Sequence, residues 1–567
     1  MGRIFFTLLL ILSLPVHAGE ATWEKPLNDE SSWSGLTFAG TLLAASKTRL
    51  AHVDRDGELL WVRDDLAKLA QFNVNDVPGT PFLIVTEKLG NIPPKSRLQV
   101  LNLSTGETLW DTGEQAGSGL GAYPVPARDL LVYVADVQTP KAGTYAIGLS
   151  LETGEEKWRT KLGSIGTLPT HPSDIGGFIP SPDLNGHPPP VVTDDTFILV
   201  AGNLYALNIA DGTEKWRFKL KASVPSLKNN YAQPLLAGET LYAVSTDSLY
   251  AIDAQTGEEK WKTKIKKASM PQLELVGDKL VGRLGGTFSN GKDLVQHKPF
   301  GAFVVDVATG ELAWKWTKAK GSITNLLVKE DKGLVMLADK NKLYALDLNA
   351  QKKPAVVQEE KLEFKRKMGT ADVAAKGLGA AGGFLSGGIA GGIKGSLGGG
   401  DRSDPPLDIA VVGDRLVVRA QYHVLAHNLT TQEPEWSIEF APPGMNSFAL
   451  IAMGAVTASL AVANAAGAWG SSSASMSSAY ADSTLNITNA FQEAVAERYA
   501  AAEKSREVAF FLTKEEDEMV LLGIDLASGG EVGRVPMSEK EPQFMVDSIG
   551  SRVYYFRDKK TLVAYDF

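Results

Sequence analysis

The sequence of 567 residues contains no cysteine. This absence excludes disulfides, thiolate nucleophiles, c-type haem attachment and the lipid-attachment cysteine of a lipoprotein. Basic residues are not in excess either, because 57 lysines and arginines stand against 66 aspartates and glutamates and give a formal net charge of -9. The composition therefore argues against nucleic acid as a partner and predicts a fold held by its core rather than by cross-links.

The first residues have the pattern of a secretory signal. Arg3 precedes an apolar stretch from Ile4 to Val16, which is too short to span a bilayer, and Val16-His17-Ala18 resembles a small-residue cleavage site. We therefore predict a signal peptide over 1–18, cleaved after Ala18, and a mature chain over 19–567. Export without disulfides suits the bacterial periplasm, so we expect a periplasmic or outer-membrane-associated protein.

One sequence motif recurs along the chain: a strand, a turn and a second strand that carries a tryptophan. Its clearest copy runs from Leu249 to Trp261, with Thr256-Gly257-Glu258 as the turn. Well-kept copies and one eroded copy end on tryptophans that we predict to be structural plates packed between units: Trp61, Trp110, Trp158, Trp216, Trp261, Trp314 and Trp436. Further eroded copies lie at 347–354 and 528–529. A period of roughly 45 to 50 residues indicates stacked β units, because one such unit cannot bury both of its faces alone.

The motif resembles the closing signature of pyrroloquinoline-quinone-like (PQQ-like) β-propeller blades, Tyr-Ala-Leu-Asp-x-x-Thr-Gly-x-x-x-Trp. The resemblance covers most of 33–567 and implies an all-β propeller over 19–567. The chain also is similar to the propeller lipoprotein of the outer-membrane β-barrel assembly machine, although it lacks the lipidated cysteine. This resemblance implies a protein-interaction role in the cell envelope.

The two ends of the chain predict how the ring closes. The sequence finishes on Thr561 to Phe567, which reads as the third strand of a blade, and Ala21 to Lys25 is a candidate for the missing fourth strand. Pairing these ends would remove the exposed edges of an open ring. Counting the shared blade gives about ten blades, with the family's usual eight as the alternative.

Two insertions interrupt the repeat. The first, over 365–403, carries glycines at a strict spacing of four, which would line one helical face and allow close helix packing: Gly379, Gly383, Gly387, Gly391, Gly395 and Gly399. The second, over 445–505, joins an uncharged apolar segment, 448–468, to an amphipathic helix that begins near Asp482. Three interpretations stay open: a helical subdomain packed on the propeller, membrane insertion of a glycine zipper, and a self-association surface.

The sequence offers little catalytic chemistry. True quinoprotein dehydrogenases of this fold carry a vicinal disulfide, which is impossible here, and an acidic calcium motif that we do not find. His423 and His427 share a strand face but lie about 13 Å apart in an extended chain, too far to ligate one metal. His171 and His187, with Asp174 and Asp183, occupy a Pro-rich loop that we interpret as solvated. We predict no catalytic, cofactor-binding or metal-binding residues and no cofactor.

These observations favour an exported, non-enzymatic β-propeller scaffold that binds envelope proteins, with a possible role in outer-membrane protein assembly. Two alternatives remain: a quinone-dependent oxidoreductase, and a membrane-inserting or surface-exposed effector that uses the glycine-zipper helices for membrane contact.

Overall fold

The structure is a computed structural model. It describes residues 19–163, 173–174, 190–220, 232–364, 404–440 and 508–567, apart from short gaps at 28, 71–72, 78, 139–141, 202, 246, 266–267, 290–293, 322, 363, 405, 407, 421, 432, 516–517, 540–541 and 548–549. The predicted signal peptide, the glycine series and the 445–505 insertion lie outside the described residues and stay predictions. Among the described residues, no helix has the length and apolar character that crossing a membrane requires.

The described residues form antiparallel sheets that we group into units in chain order. Unit 1 holds β2 (Ser31–Leu36), β3 (Leu42–Ser46), β4 (Leu50–Val53) and β5 (Leu59–Arg63); unit 2 holds β6 (Val74–Asp76), β7 (Phe82–Asn91), β8 (Pro94–Asn102) and β9 (Thr108–Asp111); unit 3 holds β10 (Gln115–Val125), β11 (Leu130–Val137), β12 (Gly143–Leu149) and β13 (Glu156–Gly163). After β14 (Ser173–Asp174), unit 4 holds β15 (Val191–Val192), β16 (Thr196–Ala201), β17 (Asn203–Asn208) and β18 (Glu214–Phe218); unit 5 holds β19 (Leu235–Ala237), β20 (Thr240–Val244), β21 (Ser248–Asp253) and β22 (Glu259–Lys264).

The second half of the chain continues this arrangement. Unit 6 holds β23 (Leu273–Val276), β24 (Lys279–Ser289), β25 (Leu294–Asp306) and β26 (Leu312–Trp316); unit 7 holds β27 (Leu327–Lys329), β28 (Leu334–Ala338), β29 (Lys342–Asp347) and β30 (Val356–Lys361). Unit 8 holds β31 (Asp408–Val412), β32 (Arg415–Arg419), β33 (His423–Asn428) and β34 (Pro434–Glu439); unit 9 holds β35 (Val508–Glu515), β36 (Glu518–Asp525) and β37 (Glu531–Met537); the closing unit holds β38 (Gln543–Asp547), β39 (Arg552–Arg557), β40 (Thr561–Asp566) and β1 (Trp23–Pro26). Short 3₁₀ turns at Asp64–Leu66, Pro126–Arg128 and Glu330–Lys332 are the helical elements of the described residues.

The two ends of the chain share one sheet. β1 pairs antiparallel with β40, with Trp23 opposite Ala564 and Pro26 opposite Thr561, and the strand order is β1-β40-β39-β38. The N-terminal strand therefore supplies the fourth strand of the last unit, as the sequence predicted. This pairing covers the edge that β40 would otherwise expose.

Each inner strand packs its two faces into different cores. On β17, Tyr205 and Leu207 belong to the apolar cluster that contains Trp158 of unit 3, whereas Leu204 and Ala206 belong to the cluster that contains Trp216. Neighbouring residues of a strand point to opposite faces, so an uninterrupted apolar strand fills two interfaces at once. This explains why both faces of the repeat are apolar.

The turn before each tryptophan is built by the residues of the repeat. In unit 5, the Asp253 carboxylate accepts hydrogen bonds from the backbone N–H groups of Gln255 and Thr256, at 3.0 and 2.9 Å. These bonds hold the pKa of Asp253 below its ordinary value. Gly257 then adopts a φ of +75°, which glycine tolerates without strain.

The tryptophans interlock successive units. The indole of one unit lies directly against the turn glycine of the next, so a Cβ added to Gly106 would stand 2.6 Å from the Trp61 ring and one added to Gly257 would stand 2.7 Å from the Trp216 ring. The same contact joins these tryptophans and glycines: Trp23 with Gly57, Trp110 with Gly154, Trp158 with Gly212, Trp261 with Gly310, and Trp436 with Gly529. Seven of the indoles also donate to a backbone carbonyl of the next unit, at 2.7 to 3.4 Å: Trp23, Trp61, Trp110, Trp158, Trp216, Trp261 and Trp314.

Trp23 occupies the position of a repeat tryptophan. It lies opposite Ala564, as Trp216 lies opposite Ala206 in unit 4, and its indole donates to the carbonyl of Arg55 at 2.9 Å. The closing strand therefore brings the interlock as well as the backbone pairing. The equivalent position holds Gln358 in unit 7 and Gly533 in unit 9, which are the two eroded copies that lack the tryptophan.

Candidate interaction surface

The outermost strands of units 3, 4 and 5 carry one shared pattern of charges. In each of them the sequence reads Glu-Lys-Trp, then Arg or Lys, then any residue, then Lys, over 156–161, 214–219 and 259–264. The two basic positions after the tryptophan share a face, because side chains two residues apart point the same way along a strand. That face is opposite to the one that carries the tryptophan.

The lysine before the tryptophan is neutralised within its own unit. It sits at a bulge, because Leu207 pairs with Glu214 while Ala206 pairs with Trp216, so Lys215 has no partner residue across the ladder. In all three units this lysine forms an ion pair with an aspartate: Lys157 with Asp129 at 2.9 Å, Lys215 with Asp195 at 2.7 Å, and Lys260 with Asp253 at 3.2 Å. These three lysines therefore add little net charge to the surface.

The cation after the tryptophan lies over a tyrosine ring. The distances from the charged group to the ring centre are 5.9 Å for Arg159 and Tyr145, 4.7 Å for Arg217 and Tyr205, and 4.9 Å for Lys262 and Tyr250. The two arginines also pair with the glutamates of the pattern, Arg159 with Glu156 at 2.7 Å and Arg217 with Glu214 at 2.6 Å. Such contacts fix the cation on an aromatic plate.

The last lysine of the pattern is different. Lys161, Lys219 and Lys264 are exposed, and within the described part of the chain none of them forms an ion pair. Lys161 donates to the carbonyl of Ala142 at 3.0 Å and lies 5.8 Å from the centre of the Tyr145 ring. We call Lys161, Lys219 and Lys264 the basic row.

A cleft opens at the unit 3 end of the basic row. It has a volume of about 560 Å³, within the range of small-ligand and side-chain pockets, and Lys161 and Arg159 line it together with Tyr133, Ala135 and Val137. The cleft exists because β9 has four residues whereas β13 has eight, so unit 2 leaves the far part of the unit 3 sheet uncovered. Its lining thus combines apolar side chains with the two cations and with polar groups that include Asp136.

The walls of the cleft are shaped by hydrogen bonds and by glycines. The hydroxyls of Tyr133 and Ser96 lie 3.4 Å apart across it, and burial raises the pKa of Tyr133. A Cβ on Gly143 would stand 2.7 Å from Cε of Lys161, so a larger residue there would displace the lysine. At the far side, β10 pairs with β8 through Gln115 and Ser96, which joins units 2 and 3 into one sheet.

The same outer position is apolar in several other units, whereas in unit 8 it is Glu435. The bulge residue is Leu60 in unit 1, Leu109 in unit 2 and Val357 in unit 7, with exposed fractions of 44%, 42% and 58%. In units 3 to 5 it is lysine. The outer strands therefore differ in chemistry from one arc of the ring to the next, although the interior of each interface is alike.

The histidines do not assemble into a site in the described residues. His423 is buried, with Nδ1 2.8 Å from the Asp404 carboxylate and its ring stacked on Phe364 at 5.0 Å between centres. The Nε2 of His427 lies 3.3 Å from the Glu360 carboxylate, and burial lowers its pKa. Each histidine thus lies beside a carboxylate of its own.

Burial also shifts the pKa of two ionisable groups of unit 6. Burial raises the pKa of Glu274 to about 7, and burial lowers the pKa of Arg283, which donates to the carbonyl of Thr324 at 3.2 Å, to about 9. Across the described ranges, no three histidine or acidic side chains group as metal ligands would. His171, His187 and Asp183 lie outside the described residues, and Asp174 lies on β14.

The sequence reasoning missed the basic row. The sequence feature that could have indicated it is the motif Glu-Lys-Trp-(Arg/Lys)-x-Lys, which occurs three times. A single copy of this motif is typical of an ordinary solvated strand face. What separates the exposed last lysine from the paired first one is the bulge and the aspartate of the neighbouring strand. Neither can be read from spacing alone.

Residues 94–354, somewhat less than half of the chain, match the PQQ-like family model described as outer membrane protein assembly factor BamB. This part of the chain is similar to PQQ-like propeller repeats. It includes unit 3, unit 4 and unit 5, which carry the basic row. No curated protein matches the sequence.

Several solved structures resemble this chain at low identity. They include BamB from Moraxella catarrhalis, with 14% identity, a TM-score of 0.34 and coverage of 71% of this chain and 96% of that one. The computationally designed Ika8 protein gives 11% identity, a TM-score of 0.35 and coverage of 70% and 95%, and the C-terminal WD40 domain of Sif2 gives 12%, 0.32, and 71% and 97%. Similarity at this level assigns no function.

Proposed function

We propose that this protein is an exported, non-enzymatic propeller scaffold that binds other proteins at the bacterial cell envelope, in the assembly of outer-membrane proteins. The observation that carries the proposal is the match of residues 94–354 to the family described as an outer membrane protein assembly factor. The signal-like sequence over 1–18 supports export, and the absence of cysteine suits a fold that matures in the periplasm without cross-links.

The architecture supports a scaffold of about ten blades. The closing unit joins both ends of the chain in one sheet, and units 1 to 9 precede it in the described residues. A closed ring presents many outer strands and loops on one stable body, and its outer strands here carry basic and apolar arcs at equivalent positions. Such a body can hold several partners at once.

The test combines export and partner identification. The full chain with a C-terminal tag would be expressed in its host, and the cells fractionated and then cross-linked intact with a short amine-reactive reagent. We expect the processed protein, starting at Gly19, in the periplasmic or outer-membrane fraction, cross-linked to outer-membrane assembly components. Recovery of the unprocessed chain in the cytoplasm, or quinone-dependent dye reduction by the purified protein, would contradict the proposal.

A further inference from the structure

We propose that the basic row of Lys161, Lys219 and Lys264, with the cleft at its unit 3 end, binds an extended acidic segment of a partner protein. The proposal rests on the scaffold function and names the chemistry of one partner. It starts from an internal comparison with a second set of lysines, one in each of the same three units: Lys157, Lys215 and Lys260. The two sets differ in whether an aspartate lies nearby.

The comparison separates lysines that already pair with an aspartate of the protein from lysines whose charge can meet a ligand. Lys157, Lys215 and Lys260 each contact an aspartate within 3.2 Å. The basic row, four residues further along the chain in each unit, has no such partner in the residues that the structure describes, and its lysines are exposed. The cations of the intervening position are held on tyrosine rings. On a chain with a formal net charge of -9, this is a local patch of the opposite sign.

The shape of the surface favours a polypeptide over a membrane. The three lysines follow the outer strands of three consecutive units, so they curve around the outside of the ring rather than lie on a plane. An extended chain can follow such a curve and present a carboxylate to each unit in turn. A flat bilayer would meet this convex edge over a narrower width.

The cleft gives the segment a direction. Ala135, Val137 and the ring of Tyr133 give its lining an apolar area, Lys161 supplies a cation, and Asp136 is the one acidic lining residue. A volume of about 560 Å³ admits one large side chain with part of its backbone. We therefore expect an acidic stretch that has an aromatic or large aliphatic residue at the end that reaches unit 3.

The experiment measures peptide binding to the purified full-length mature protein. The probe is a fluorescein-labelled oligo-glutamate peptide that ends in phenylalanine, followed by fluorescence anisotropy at low salt, with an oligo-lysine peptide as the charge control. Two triple variants are compared: K161Q/K219Q/K264Q, which removes the basic row, and K157Q/K215Q/K260Q, which removes the same number of charges from the paired set. Equal thermal melting of both variants and wild type checks that the ring is intact.

We expect the first variant to bind the probe at least about tenfold more weakly and the second to bind within about twofold of wild type, because paired lysines contribute little to a ligand. Val137→Trp, which fills the cleft, should abolish the advantage of the phenylalanine-ended probe over plain oligo-glutamate. Equal weakening in both triple variants would overturn the proposal, since it would reduce binding to net charge. Cosedimentation with phosphatidylglycerol vesicles in the absence of peptide binding would also overturn it and assign the row to a membrane.

These outcomes are independent of the cellular test. If the peptide fails to bind while envelope proteins still cross-link to the intact chain, the scaffold function stands and the basic row is rejected. If the peptide binds but the chain is found outside the envelope, the reverse holds.

Discussion

Replacement of Trp158 by alanine tests the interlock between units. The indole is buried, it lies against the turn glycine Gly212 of unit 4, and it donates to the carbonyl of Ile209 at 3.0 Å. Removal of a buried tryptophan costs about 3–5 kcal/mol through lost apolar burial and the cavity that remains. The carbonyl left without its donor adds about 1 kcal/mol. We therefore expect a loss of stability toward the upper end of this range.

Chemical denaturation of the variant measures the total loss of unfolding free energy, and hydrogen exchange shows which part of the chain loses stability. The backbone N–H of Gly212 donates to Asn208 and the N–H of Asn208 donates to Thr213, so these turn amides should exchange faster in Trp158→Ala. Because stacked repeats can unfold in parts, local exchange is the cleaner measure. Trp158→Phe keeps an apolar plate and should recover most of the loss.

Gln358 provides the matched control. It occupies the tryptophan position in unit 7 but has no indole to interlock with unit 8. Gln358→Ala should change stability by less than about 0.5 kcal/mol, as for most partly exposed polar positions. A Trp158→Ala protein that loses less than about 1 kcal/mol, or exchange that accelerates equally in distant units, would refute the interlock as the source of stability.

Three further predictions concern other parts of the chain. Trp23→Ala should lower the melting temperature and expose β40 to exchange, since Trp23 supplies the closing interlock; unchanged melting would remove the closure argument. Burial lowers the pKa of His52 from 6.5 to about 4, so between these values the unfolded chain binds a proton that the folded chain does not. The free energy of unfolding should therefore fall by about 2 kcal/mol as the pH is lowered from 7 to 5. In His52→Gln this part of the pH dependence should vanish, and persistence of the full dependence would contradict it. Deletion of 369–403 with 445–505 should leave a soluble ring that loses partner or membrane association in fractionation and pulldown, whereas unchanged association would place that binding on the units.

Much of the fold follows from the sequence because its signals are local. The turn at Thr256-Gly257 requires a positive φ, and Trp261 marks a strand that must be covered by its neighbour. The all-β propeller was thus predictable from residues a few positions apart. The closing pair of β1 and β40 was also predictable, because a strand at one end and a missing strand at the other end complement each other.

The candidate surface was less accessible from the sequence because it depends on contacts between strands. Lys215 lies on β18 and Lys219 directly follows it, yet Lys215 is bonded to Asp195, in the turn between β15 and β16, and Lys219 forms no ion pair in the described residues. The cleft likewise arises from the difference in length between β9 and β13, which their sequences do not announce. Strand ends are the least predictable part of a sheet, so pockets that form at strand ends are the hardest to predict from the sequence.

The erosion of the repeat follows from the geometry of the interlock. A tryptophan can occupy its position where the next turn carries glycine, because any Cβ there would stand within about 3 Å of the indole, as at Gly106 and Gly257. In unit 9 the position holds Gly533, which faces Phe567 at the end of the chain rather than a glycine turn. Trp314 meets a turn without glycine, but that turn is longer, since Asp347 pairs with Ala355, and the indole donates at 3.4 Å. Where the next turn lacks glycine, the position therefore either lacks the tryptophan, as in units 7 and 9, or meets a longer turn, as in unit 6. The eroded copy at Trp436 keeps its tryptophan, and there the next turn carries Gly529.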